Sequence, residues 1–319
     1  MKVLKSNKIV VAMLIFLSFL LILHPTLIFN SSLNAITVWT YKIFPVMFPF
    51  FVITRIILNL SNFTPNFTDK FFKKMFNAPN GSSKIFFLSV LAGYPTGAKL
   101  ICNMFENGYI NKNQAQNMMS FCSVSGPMFI IGSVGIAVFS SFKIGIIILI
   151  SNILAAILNG ILYRGKKEND NIFLINERKE LNLFDVVYDS IISILIVAAF
   201  IVLSFILIDL LNYFNIITFI SKSICGVFNS FRAIDVVSAT ISGIIEMTRG
   251  IIDLHATLAT LNIKIIIASG LIGFGGFSVI LQSLTFLSKI NMPVKKMILQ
   301  KLTQALISSI ICALLCIFI

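Results

Sequence analysis

Mostly apolar runs follow one another along this sequence from Ile9 to its last residue, separated by short basic loops. An α-helix needs about 20 such residues to cross a hydrocarbon core roughly 30 Å thick, and inside that core each backbone N–H and C=O must be satisfied within the protein. The expected fold class is therefore an all-α polytopic membrane protein. Composition agrees: 57% of the 319 residues are hydrophobic and 12% charged, whereas a soluble domain carries about 25% charged residues. Disorder, a disulfide scaffold and a conventional cytosolic enzyme do not fit these figures.

The net charge of +13 would suggest a nucleic-acid partner in a soluble protein. Here the basic residues gather in a few loops, as the positive-inside rule requires, and no run interleaves aromatics with bases on a polar face. The expected partners are the lipid bilayer and a small molecule, with no nucleic acid. Cys102, Cys122, Cys225, Cys312 and Cys316 mostly sit in apolar runs and form no C-x-x-C pair, so they read as small core residues.

Seven spans are expected. The first, within residues 1–32, follows Lys2, Lys5 and Lys8 and reads as a retained helix because no small-x-small cleavage site follows it. Leu33 to Leu60 carries Pro45 and Pro49 and should be kinked or broken near its middle. Further spans are expected near 115–139, 144–163, 184–211, 264–287 and 302–319. Two other apolar stretches, 83–109 and 233–261, are interrupted halfway by glycines and charges, leaving halves of about ten residues that are too short to cross. Each is expected to be a re-entrant hairpin. This arrangement places the N-terminus and the basic clusters at 2–8, 70–84, 164–179 and 289–301 in the cytosol.

A shift of 150 residues without a gap aligns Gly93 with Gly243, Lys99 with Arg249 and Gly126 with Gly276. In each half the glycine-bearing hairpin is followed by a small-residue break inside a span, Ser123–Pro127 and Gly273–Ser278. The expected organisation is an inverted repeat: residues 33–163 with the hairpin at 83–109, a cytosolic loop at 164–182, and residues 183–319 with the hairpin at 233–261. Paired, glycine-interrupted segments in inverted halves mark secondary transporters with a site between the repeats. Glycines that merely allow close helix packing are the alternative.

The strings GYPTGAK (93–99), FCSVSGPMFIIGSVG (121–135) and GFGGFSVILQ (273–282), with Phe48-Pro49-Phe50-Phe51, resemble the YlbJ-type sporulation integral membrane family, also called stage V sporulation protein V. The resemblance implies the nucleoside-recognition or Gate superfamily and a fold similar to concentrative nucleoside transporters. It also implies a function: moving dipicolinic acid from the mother cell across the outer forespore membrane during endospore formation. Nucleoside transporters of related fold carry Gln-Thr-Glu chemistry at the first hairpin tip. This chain has Tyr94-Pro95-Thr96 there, a departure that argues against a nucleoside.

Dipicolinate, a planar pyridine with two carboxylates, calls for cations or N–H donors around an apolar slot. The candidate substrate-binding residues are Tyr94, Thr96, Gly97, Lys99, Ser123, Ser125, Gly126, Glu246, Arg249, Gly275, Gly276 and Ser278. Lys99 and Arg249 are the matched cations, since an ionisable group within a membrane-buried hairpin is functional by default. The alternative is that they pair with Glu106 or Glu246. Glu246 or Asp253 is a candidate for coupling to H+ or Na+, or a salt-bridge partner instead. No cofactor or bound metal is expected, while calcium accompanying dipicolinate and a homo-oligomeric assembly are both compatible with the sequence. No HExxH, Walker loop or G-x-S-x-G elbow is present, so the chain does not read as an enzyme. A carrier for another small organic anion or nucleoside-like solute, and a non-transporting sporulation scaffold, are the competing functions.

Overall fold

The computed structural model describes residues 8–60, 66–94, 96–166, 182–227, 230 and 233–317. Every regular element among them is helical. The first are α1 (Lys8–Leu23), α2 (Pro25–Val38), α3 (Phe44–Leu60), α4 (Asn66–Phe76), α5 (Ser82–Ala92), α6 (Thr96–Glu106), α7 (Lys112–Cys122) and α8 (Phe142–Leu162). They are followed by α9 (Leu183–Tyr213), α10 (Ile216–Val227), α11 (Ile234–Ile245), α12 (Met247–Ala256), α13 (Leu261–Phe274), α14 (Gly276–Leu287) and α15 (Val294–Cys316). Among the described residues five helices are long and apolar enough to cross a membrane, against seven expected spans.

The difference lies where the sequence interrupts a run. Residues 1–32 do not form one span: α1 ends at Leu23, and Pro25 restarts the chain as the first residue of α2, where its missing N–H costs nothing. Pro45 and Pro49, in contrast, do not break their run. A wider π-helical turn at Trp39–Ile43 precedes Pro45, and the helix runs on from Pro25 to Ile57. The expected span near 115–139 divides at residues 123–126, which are not helical, and resumes in the π-helical segment Phe129–Ile136.

The cluster at 70–84 was expected as a loop, but its first half is the amphipathic helix α4. Phe72 and Phe76, one turn apart, are buried against Phe86 and Phe121, whereas Lys70 and Lys74 stay exposed. Asp69 fixes its approach to α5 by accepting from the Gly81 N–H (3.0 Å) and the Ser83 hydroxyl (2.5 Å). The basic loop at 164–182 lies largely outside the described residues.

The two halves of the chain meet along α8, α13 and α15, and the seam is polar at depth. Asn152 on α8 donates to Ser269 of α13, Ser269 and Ser308 of α15 share a hydroxyl contact of 2.8 Å, and Asn159 donates to Ser120 O (2.7 Å) and Gln300 O (3.1 Å). These groups satisfy one another where water cannot enter, which fixes the register between helices that apolar contact alone would leave free to slide. On the other flank, the long helix α9 packs against α2 and α3 and is tied at both ends. Asp189 pairs with Arg55 of α3, and Asp209 accepts from Ser31 of α2 (2.6 Å) and pairs with Arg249 of α12 (3.1 Å).

Candidate functional site

Both interrupted stretches are pairs of short antiparallel-packed helices: α5 and α6 meet at residues 93–95, and α11 and α12 meet at Glu246. The site is built where these two corners reach the two breaks in the longer helices. Gly93 ends α5 with φ +70° and ψ −165°, a region open in practice only to glycine. A Cβ on Gly93 would stand 2.5 Å from the Gly126 nitrogen, so the first corner lies backbone to backbone on the first break. In the second half the close approach is made from the break, by Gly276 at φ +74°. A Cβ there would lie 3.1 Å from Met247 N and 3.2 Å from Ile245 O, both in the second corner. Pro95 lies outside the described residues.

The halves then cross. Tyr94, buried at the first corner, donates its hydroxyl to Ile272 O (3.1 Å), in the last turn of α13 before the second break. Between corners and breaks is a cavity of about 40 Å3, room for two or three waters at roughly 10–15 Å3 each. Tyr94, Ser125, Gly126, Glu246, Ser278 and Gln282 line it, and the apolar wall comes from Ile43, Met47 and Phe129 and from α9. Five of the candidate residues, drawn from four separate places in the chain, thus face one space.

Glu246 is 2% exposed. It caps α12, its Oε2 accepting the Arg249 backbone N–H at 2.7 Å, so the helix N-terminus offsets its negative charge. Gln282 Nε2, buried on the opposite wall, has no protein partner among the described residues and is free to donate into the cavity. A largely apolar cavity with a carboxylate, the hydroxyl residues Tyr94, Ser125, Thr248 and Ser278 and an amide can orient a small polar solute.

The remaining candidates are placed elsewhere. Lys99 is exposed on the outer side of α6 and does not line the cavity. Its alternative partner, Glu106, instead pairs with Lys289, and that hydrogen bond holds the Lys289 ammonium above its usual range. Arg249 does not pair through its side chain with Glu246. Its guanidinium bonds Asp253 (3.0 Å) and Asp209 (3.1 Å) and lies over the Phe205 ring. Thr96 opens α6 half-buried, Gly97 packs on Cys122 O, and Gly275 caps α13 in the left-handed conformation at φ +84°.

Ser123 is buried, and its carbonyl oxygen accepts from a residue that the sequence reading had put in the cytosolic cluster, Lys301. Lys301 is not in a loop. α15 begins at Val294, seven residues earlier, so Lys301 falls inside the helix, 2% exposed, with its Nζ 3.0 Å from Gln304 Oε1 and 3.2 Å from Tyr94 Oη. Burying an ammonium without an acid costs several kcal/mol unless hydrogen bonds offset it. The signal was present as a helical stripe: Lys301, Gln304 and Ser308, at i, i+3 and i+7, are all buried on one face.

No family model matches the chain, and no solved structure matches it. A curated protein does: the sporulation integral membrane protein YlbJ of Bacillus subtilis (strain 168) is 25% identical over 98% of this chain and 83% of its own length. The resemblance carried by the glycine-rich motifs therefore holds along nearly the whole chain, a multi-pass helical membrane protein similar to YlbJ.

Proposed function

We propose that this protein is a secondary transporter whose substrate binds between the two helical corners and the two helix breaks. The observation that carries the proposal is that both corners and both breaks reach one cavity, through Tyr94 and Glu246 from the corners and Gly126 and Ser278 from the breaks, while Gly93 and Gly276 make the close backbone approaches beside it. Irregular backbone at membrane depth is tolerated where protein or a cavity satisfies it, and paired broken helices at a repeat interface are where transporter sites form. On this reading the corners are re-entrant hairpins, and residues 33–163 and 183–319 are inverted copies with the N-terminus in the cytosol.

The substrate class follows from the resemblance: dipicolinate, moved across the outer forespore membrane. Glu246 and Gln282 favour a second substrate class, a neutral nucleoside-like solute that would use them as acceptor and donor without charge repulsion.

Uptake of labelled dipicolinate into proteoliposomes holding the purified protein, with a pH or Na+ gradient and empty vesicles as control, tests the proposal. Saturable uptake is expected. Uridine uptake that dipicolinate does not inhibit would move the assignment to the second class, and folded protein without uptake of either would leave a scaffold role in its place.

A further inference from the structure

Lys301 is the buried cation that the substrate cavity does not use, and its surroundings are unusual for a charge. Its three oxygen partners are neutral: the Ser123 carbonyl at the first break, the Tyr94 hydroxyl at the first corner, and Gln304 on its own helix. The ammonium also lies 4.7 Å from the Tyr94 ring centre. A carbonyl at a helix C-terminus, a hydroxyl and an amide oxygen form the kind of neutral oxygen set that holds a small cation at a broken helix. Here a tethered cation occupies it.

The elements around Lys301 bring few other titratable groups. Tyr94 touches it, and Cys122 precedes Ser123 in the chain. α14 contains no charged residue. The sole ionisable residues of α8 before its last turn and of α13, Lys143 and Lys264, stand in their first turns. Lys296 on α15 is held by Gln116 and Asn117, one helical turn and more away, and Glu246 faces the cavity that Tyr94 also lines. Among the described residues no carboxylate pairs with Lys301.

We propose that Lys301 carries the coupling proton: protonated, it ties α15 to the first corner and first break, and deprotonated, it releases them. The inference rests on the transporter reading above and names its driving ion as H+. In the step itself one proton passes from Nζ to a water molecule that reaches it at the first break, leaving a neutral amine and a hydronium ion, and no bond between heavy atoms changes. The acids are poorer choices. Glu246 is committed to capping α12, and Asp253 to Arg249, so neutralising either would give up a cap or an ion pair. Lys301 gives up no ion pair. Its release would reach both halves, because Tyr94 passes the contact on to Ile272 O beside the second break.

Cys122 reports on this contact without any substrate. In full-length protein in nanodiscs, with Cys102, Cys225, Cys312 and Cys316 replaced by Ala, maleimide labelling of Cys122 is measured from mildly acidic to mildly alkaline pH. Each rate is divided by that of the unfolded chain, which removes the thiol's intrinsic pH dependence. With Lys301 present the normalised rate should rise about tenfold with pH as the first break opens. Lys301→Arg should stay protected throughout, and Lys301→Gln should be flat, which keeps the test decisive if the arginine variant does not fold. Identical profiles for Lys301 and Lys301→Gln overturn the proposal. Dipicolinate uptake is followed in parallel with the same proteins. A pH-dependent profile without uptake retains the Lys301 switch and removes dipicolinate, whereas Na+-driven uptake that survives in Lys301→Gln retains the transporter and removes the switch.

Discussion

The two corners are the same backbone device with opposite electrostatics. The first places no charge of its own at the cavity: Tyr94 lines it, and behind Tyr94 stands Lys301 on a helix from the other half, held by neutral oxygens. The second places a carboxylate there, Glu246, used as a helix cap, with Arg249 beyond it balanced by Asp209 and Asp253. One corner has its charges paired locally; the other borrows an unpaired cation from 207 residues away. Both corners thus lie close to a break by backbone contact while they take different electrical roles.

Substituting the approach glycines should have the largest effect. Gly93→Ala forces a Cβ into Gly126 at a φ that alanine avoids, and should lower stability by about 3 kcal/mol or more. Gly276→Ala, with 3.1 Å of clearance, should cost less. Gly108→Ala, with positive φ but no neighbour within 4 Å, should cost about 1 kcal/mol. Melting in detergent measures all three, and equal losses would mean that close approach is not what holds corner to break.

Next comes the contrast in cations. Arg249→Gln strands two carboxylates and should destabilise by about 2–3 kcal/mol, whereas Lys301→Met removes an ammonium that has no acid, leaves only neutral acceptors behind and should cost less, about 1 kcal/mol. If both melt lower by the same amount, the two corners are not electrically distinct. A smaller effect than for Arg249→Gln is expected for Tyr94→Phe, which keeps the ring but loses the bond to Ile272 O, about 1 kcal/mol by the same assay. Lys289→Ala removes an exposed pair with Glu106 and should leave the melting temperature unchanged.

The breaks at 123–126 and 275–276 and the corners near 93 and 246 could be read from glycine and charge placement, because irregular backbone leaves a local mark. Partners across the fold leave none. Lys99 and Arg249 match in sequence, yet α6 turns Lys99 outward while α12 turns Arg249 toward Asp209, a residue set apart from it by 40 positions. Lys301 was hidden for a different reason: hydropathy dates the last span from Leu302, and a charge at its edge looks like the end of a loop. α4 and α10 were missed because they are short, and their roles depend on the surfaces they cover.

The two tethered acids of α9 also set a length. Asp189 and Asp209 stand 20 positions apart on one continuous helix, which at 1.5 Å per residue is about 30 Å. That is the hydrocarbon thickness of an average bilayer. Arg55 and Arg249 grip the two ends of this interval, so α9 acts as a gauge block between them. A thicker membrane would draw one of the ion pairs into lipid, and a thinner one would be met by tilting the gauge.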